Sequence, residues 1–294
     1  MQPSSSSVMS LLDSAPWIVS PRPPAAPQTA EGLALQAVQL SRVTAAQAER
    51  SRLIIEGFRK DGFTADAQQA IHAELVELTG AYGLTVRQDG MTRLALGRVV
   101  IAPDRPGMGA NANGSLMMGL TAMGGYLDYH AWRIGRLPEL GPMGFYTRRN
   151  VCAHGAIHEQ IHLTGPGWGP PVSNYTLVEE LATEMAARQI ASDVLGTPLV
   201  AYLEACETGG YRTEMATLVG YLADVATRSM AESHAALAQA ALDYKRRTDV
   251  PQGLSVADAL TYLAGRALHH LGGSAALGVE LAGLWFAYAH HWRG

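Results

Sequence analysis

The stretch Ala153–His162 reads AHGAIHEQIH and contains the spacing His-Glu-x-x-His. If these residues form a helix, His158 and His162 lie one turn apart on the same face, where two imidazoles can bind one cation. Glu159 follows His158 directly and projects about 100° further round the helix. A carboxylate at this position lies beside a bound metal and does not coordinate it. The general base for a metal-bound water needs such a position. The stretch therefore predicts a helix that carries a metal site.

A second helix is predicted to begin near Thr176, after a glycine- and proline-rich segment that ends the first. The sequence TLVE from Thr176 to Glu179 fits a capping box, in which Glu179 binds the backbone at the helix start. That leaves Glu180 to act as the third metal ligand if the second helix returns across the first. Glu184 lies one turn further along the same face and can orient one of the ligating imidazoles.

At these residues the chain resembles the gluzincin metallopeptidases, the group that includes thermolysin. Their pattern is His-Glu-x-x-His on one helix and a ligand glutamate on the next, here within the sequence ELATE at 180–184. The resemblance implies that Glu159 is the catalytic base and that Glu184 is a carboxylate outside the ligand shell. It also implies one zinc ion per chain with three protein ligands, which are His158, His162 and Glu180.

The same resemblance implies a place for the substrate and for an oxyanion. In gluzincin-like folds, a strand shortly before the metal helix forms the sheet edge on which an extended peptide lies. The apolar run Leu116-Met117-Met118 fits that place, although a strand in the core fits these residues at least as well. An electrophile for the oxyanion usually follows the ligand helix. The candidates, with Tyr211 favoured by the preceding glycine pair, are Tyr211, Arg212 and His234.

Composition indicates a compact folded chain and argues against nucleic acid as the main partner. Hydrophobic residues make up 48% of the 294 residues, and the net charge is −4 with a pI near 6.2. The apolar segment 271–289 contains Glu280 and several glycines, which favours a buried helix over a membrane span. Two cysteines, Cys152 and Cys206, do not make a disulfide framework, and Cys152 is predicted to be a buried apolar residue.

Residues 1–30 differ in composition from the rest of the chain. They are rich in serine and proline and lack a basic segment followed by an apolar one, which argues against a Sec signal peptide. We expect this segment to be a disordered tail, with residues 31–294 as the metallopeptidase-like catalytic domain. The tail resembles the export signals of bacterial type III effectors. That resemblance implies a type III-like route of export, and the alternative is a cytoplasmic protein.

The predicted fold class is α+β, with a small N-terminal mixed sheet and helices, an active-site helix, and an all-helical C-terminal lobe. Residues 126–134 have no firm assignment, and residues 215–245 read as one long helix. The strands are predicted at 84–87, 92–96, 99–102 and 115–118.

The predicted function is a zinc-dependent endopeptidase that acts on a protein or peptide substrate. The same two histidines and one carboxylate also suit a non-haem iron oxygenase, in which Arg148, Arg149 or Arg188 would bind a cosubstrate carboxylate. A third alternative is a non-catalytic metal-binding module, in which Glu159 has no task. His154 lies one turn before His158 and is expected to be a bystander.

Overall fold

The computed structural model describes most of the chain after its first 42 residues, in two compact units. The first unit contains the described residues up to 78 and those from 94 to 160; the second contains 79–87 and those from 161 onward. The predicted tail of residues 1–30 lies outside the described residues. The described ranges are 43–59, 61–87, 94–105, 107–111, 113–136, 148–165, 173–195, 212–247, 249 and 254–291.

The first unit combines helices with a small mixed sheet. The first helix in the described part of this unit is capped by Thr44, whose hydroxyl accepts from the backbone of Gln47 while the Gln47 side chain accepts from the backbone of Thr44. The elements in chain order are α1 (Ala45–Glu56), β1 (Phe58–Arg59), β2 (Gly62–Phe63), α2 (Ala65–Gly80), β3 (Val99–Ala102), β4 (Met108–Ala110), β5 (Leu116–Gly119), α3 (Leu120–Arg133) and α4 (Arg148–His162).

Strand β5 lies in the middle of its three-stranded sheet. It pairs in parallel with β3, where Leu116 is opposite Val99, and antiparallel with β4, where Met118 is opposite Met108. The prediction that Leu116, Met117 and Met118 form the substrate edge is therefore wrong, because both sides of β5 are already paired. The core-strand alternative holds: Leu116 and Met118 are buried.

The second unit is helical in its described part. Helix α5 packs against α7, which also contacts α6 and α8, and α8 packs against α9. Ser229 and Glu232 form a capping box at the start of α7, and the Ser255 hydroxyl caps α8. The helices are α5 (Ser173–Leu195), α6 (Arg212–Ala226), α7 (Met230–Lys245), α8 (Val256–His270) and α9 (Ala275–His291).

These elements confirm the α+β class with a helical C-terminal region and correct several details. The predicted long helix over 215–245 is two helices, separated where Thr227 adopts a positive φ of 52°. Residues 126–134, left unassigned, belong to α3. The predicted strand at 84–87 provides one isolated bridge, between Val86 and Thr164, and residues 94–96 form no strand. Among the described helices, none is both long and apolar enough to cross a membrane.

Candidate metal centre

The predicted metal helix forms as α4, and its apolar face explains why. Ala153, Ala156, Ile157 and Ile161 are buried, which fixes the rotation of the helix about its axis. His158 and His162 are buried as well, whereas Glu159 is half-buried. Cys152 is buried, as predicted.

Helix α4 ends at His162, and Gly165, shortly after it, makes a close backbone contact. Gly165 has a φ of +69°, a conformation that L side chains rarely adopt. A Cβ atom on this residue would also lie 2.6 Å from the carbonyl oxygen of Lys245, at the end of α7. Glycine is required for both reasons, and the contact brings the end of α7 beside the residues that follow His162.

The predicted ligands lie together. His158, His162 and Glu180 each offer a ligand atom, and these atoms lie within 4.8 Å of one another. Oε2 of Glu180 is 3.4 Å from Nε2 of His162. A buried group of two imidazoles and one carboxylate can hold a metal ion. His154, expected to be a bystander, joins a second such group, which consists of His154, His158 and Glu184.

The prediction that Glu179 caps the second helix is wrong. Helix α5 begins at Ser173, so Glu179 lies beyond its first turn and is buried. Oε1 of Glu179 lies 3.2 Å from Nδ1 of His162 and accepts a hydrogen bond of 3.3 Å from the hydroxyl of Thr183. Nζ of Lys245 donates to the same oxygen. Glu179 is therefore the carboxylate that contacts Nδ1 of His162, whereas Glu184 groups with His154 and His158.

The charge on Glu179 is stabilised by its neighbours. Burial raises the pKa of this carboxyl, but the charge of Lys245 and the hydrogen bond from His162 together outweigh burial and lower the pKa to about 2. An ionised carboxylate only accepts hydrogen bonds, so its contact with His162 requires the proton on Nδ1. The lone pair of Nε2 is then available to a metal on the side of Glu180.

Glu184 also has a buried cationic partner. Its Oε1 accepts a hydrogen bond of 2.8 Å from Nε of Arg188, and Nη1 of Arg188 lies 3.2 Å from Nε2 of His234. Burial, assisted by the charge of Arg188, lowers the pKa of His234 to about 3, so this ring is neutral at pH 7. Since its Nε2 accepts from Arg188, His234 cannot donate from that atom to an oxyanion.

Two predictions about the oxyanion remain untested. Tyr211, the favoured electrophile, lies outside the described residues. The side chain of Arg212 also lies outside the part of the chain that the structure describes.

Each of the three neighbouring glutamates has a charged or ionisable partner. Glu179 pairs with Lys245, Glu184 pairs with Arg188, and Oε2 of Glu180 lies 3.4 Å from Nε2 of His162. Two imidazoles, one carboxylate and an open position are the donor set of many catalytic zinc sites. The residues present therefore fit zinc, and the same set also fits iron(II).

Sequence reasoning missed Thr183 and Lys245 as parts of this centre. Lys245 did carry a signal, because it continues the buried face of α7 one turn beyond Ala241 and Leu242. A lysine at a core position of a helix requires a buried partner. Thr183 carried no comparable signal, since a threonine in an apolar helix needs no partner beyond its own backbone.

We expect Glu179→Ala to weaken zinc binding by roughly 10–100-fold, because His162 loses the acceptor that orients its ring. Competition with a chromophoric chelator measures this change, and Glu77→Ala, which removes a carboxylate on α2, is the control. A Glu179→Ala protein that melts at lower temperature but binds zinc like wild type would show that Glu179 only stabilises the fold.

Comparison with family models, with curated proteins and with solved structures finds no match for this chain. The function of the protein must therefore be inferred from the geometry and chemistry of the site.

Proposed function

We propose that this protein is a zinc-dependent endopeptidase that hydrolyses peptide bonds of a protein substrate. The observation that carries the proposal is the group of His158, His162 and Glu180, whose ligand atoms lie within 4.8 Å of one another. Glu159 follows the first ligand on the same helix and is half-buried, as a base that must reach both water and substrate should be.

The chemistry divides between the ion and the protein. When bound, zinc lowers the pKa of a water ligand towards neutrality and polarises the substrate carbonyl. Glu159 accepts a proton from the attacking water and returns it to the leaving amine. Glu179 and Thr183 hold the ring of His162 through Nδ1. The buried cations Lys245 and Arg188 keep the negative charge of the neighbouring carboxylates balanced.

Strand β4 offers a better place for an extended substrate than β5. The carbonyl of Gly107 accepts from Gly119, and the amide of Asn111 donates to Ser115, so these two residues face β5. By the alternation of an antiparallel ladder, the backbone groups of Met108 and Ala110 point away from β5.

Strand β4 is also close to the metal helix. A Cβ atom on Gly155 of α4 would lie 3.5 Å from the sulfur of Met108. A peptide that adds to the outer side of β4 would therefore run beside the helix that carries His158 and Glu159.

Replacing Ala110 by proline tests this placement. The change removes one outward N–H group and leaves the bonds to β5 intact, which an edge strand tolerates. We expect kcat/KM to fall by about 2–10-fold, as for the loss of one hydrogen bond worth roughly 0.5–1.5 kcal/mol. Gly109→Pro is the contrasting variant. The backbone N–H of residue 109 faces β5, so its removal should lower the melting temperature. An unchanged kcat/KM in a folded Ala110→Pro protein would exclude β4 as the substrate edge.

The endopeptidase proposal itself is tested by metal content and an unbiased cleavage screen. We expect about one zinc per chain. Incubation with a proteome-derived peptide library should give new N-termini that disappear after chelation and return when zinc is restored. Iron at full occupancy with oxygen consumption would favour the oxygenase instead. Arg188 does not suit the cosubstrate carboxylate of that alternative, since it is buried and bound to Glu184 and His234.

A further inference from the structure

Lys245 is buried in a way that requires an explanation. It is the last residue of α7, and only 1% of its surface is exposed. An ammonium group removed from water is costly unless a carboxylate compensates it. Its partner is Glu179, which lies on α5 and belongs to the centre described above. A buried pair that only stabilised the fold would not need to lie against a metal-ligating histidine.

The contacts of Glu179 converge on one oxygen. Oε1 accepts hydrogen bonds from three donors: Nζ of Lys245, the hydroxyl of Thr183 at 3.3 Å and Nδ1 of His162 at 3.2 Å. Oε2 is buried and has no hydrogen-bond partner among the described residues. The orientation of the carboxylate is therefore fixed by these three donors, of which only Lys245 is an ammonium group.

The backbone fixes Lys245 independently of its side chain. Gly165, three residues after His162, packs so closely on Lys245 that a Cβ atom would lie 2.6 Å from its carbonyl oxygen. Main-chain packing therefore holds the residues after α4 against the end of α7. The contacts from Lys245 through Glu179 to His162 join the same two helices.

We propose that Lys245 is a positioning residue for the metal centre and acts through Glu179. It holds the Glu179 carboxylate on Nδ1 of His162, so that the ring presents Nε2 beside Glu180. Without the ammonium group, the carboxylate loses the charged donor that fixes its orientation and can turn away from Nδ1. The imidazole then loses the acceptor that holds it. This inference rests on the metal site of the proposed function and is independent of the peptidase activity.

The test compares two variants that remove a buried cation from a buried carboxylate. Lys245→Met removes the charge and keeps an unbranched side chain. Arg133→Met does the same to Glu74, since Arg133 and Glu74 are 6% and 2% exposed and pair on α3 and α2. Both variants should melt at lower temperature than wild type. Only Lys245→Met should bind zinc roughly 10–100-fold more weakly in chelator competition. Only Lys245→Met should change the visible spectrum of the cobalt(II)-substituted protein.

A double variant decides the question if Lys245→Met fails to fold. Removing both partners of a buried pair is better tolerated than removing one. If Lys245 acts through Glu179, then the double variant Glu179→Ala/Lys245→Met should bind zinc no more weakly than Glu179→Ala, and both should bind it more weakly than wild type. A further additive loss in the double variant would overturn the proposal. So would wild-type affinity in Lys245→Met or in the double variant.

The outcomes also separate this inference from the proposed function. A wild-type protein that binds no zinc overturns both. A wild-type protein that binds zinc through His162, together with a Lys245→Met variant that binds it equally well, overturns only the role of Lys245. Absence of peptide cleavage overturns the endopeptidase assignment alone, because the readout for Lys245 is zinc affinity.

Discussion

Replacing Glu180 by alanine is expected to abolish stoichiometric zinc binding. Its Oε2 lies 3.4 Å from Nε2 of His162, within the group that includes His158. Removing one of three protein ligands should cost more than the roughly 10–100-fold expected for partners outside the ligand shell. Zinc content after dialysis, measured by mass spectrometry, and chelator competition report the loss.

Two overlapping groups share His158, and paired variants distinguish them. We expect His162→Ala and Glu180→Ala to lose the metal, and His154→Ala to keep it. Glu184 forms an ion pair with Arg188, so we expect Glu184→Gln to reduce zinc affinity less than Glu180→Ala does. The reverse result, with zinc lost from the His154 and Glu184 variants and kept in the Glu180 variant, would place the ion in the second group.

Caps and apolar periodicity predicted most helices of the described chain well. The apolar segment 271–289, predicted to be a helix, forms most of α9, which runs from Ala275 to His291. Ser255 caps α8 through the backbone of Asp258. These signals involve residues that are close together in the sequence, so a single sequence is enough to recognise them. The break at Thr227 was missed although a local signal, the capping box of Ser229 and Glu232, marks the start of α7.

Tertiary partners decided the features that the sequence left ambiguous. The run Leu116–Met118 is apolar enough for an edge or a central strand, and only the pairing with β3 and β4 decides between them. Glu179 fits a capping box locally, but a lysine 66 residues later supplies a stronger partner. The positions of His158 and His162 followed from helical spacing alone. The pairing of Glu184 with Arg188, one helical turn away, could be predicted from the sequence, whereas the pairing of Glu179 with Lys245 could not.

The largest effect on activity is expected from Glu159→Gln. The variant keeps the size of the side chain but cannot accept a proton from the attacking water or return one to the leaving amine. Removing a positioned general base costs about 10²–10⁴-fold in rate. Because Glu159 is not part of the ligand group, zinc content and melting temperature should stay at wild-type values.

The measurement is kcat/KM for a peptide found in the cleavage screen, with zinc content determined on the same preparation. Glu280→Gln is the matched control, since it makes the same chemical change at an exposed position on α9 and should leave activity unchanged. Full activity in a zinc-loaded Glu159→Gln protein would remove this residue from the mechanism. It would leave His158, His162 and Glu180 as a metal centre whose chemistry does not use the neighbouring glutamate.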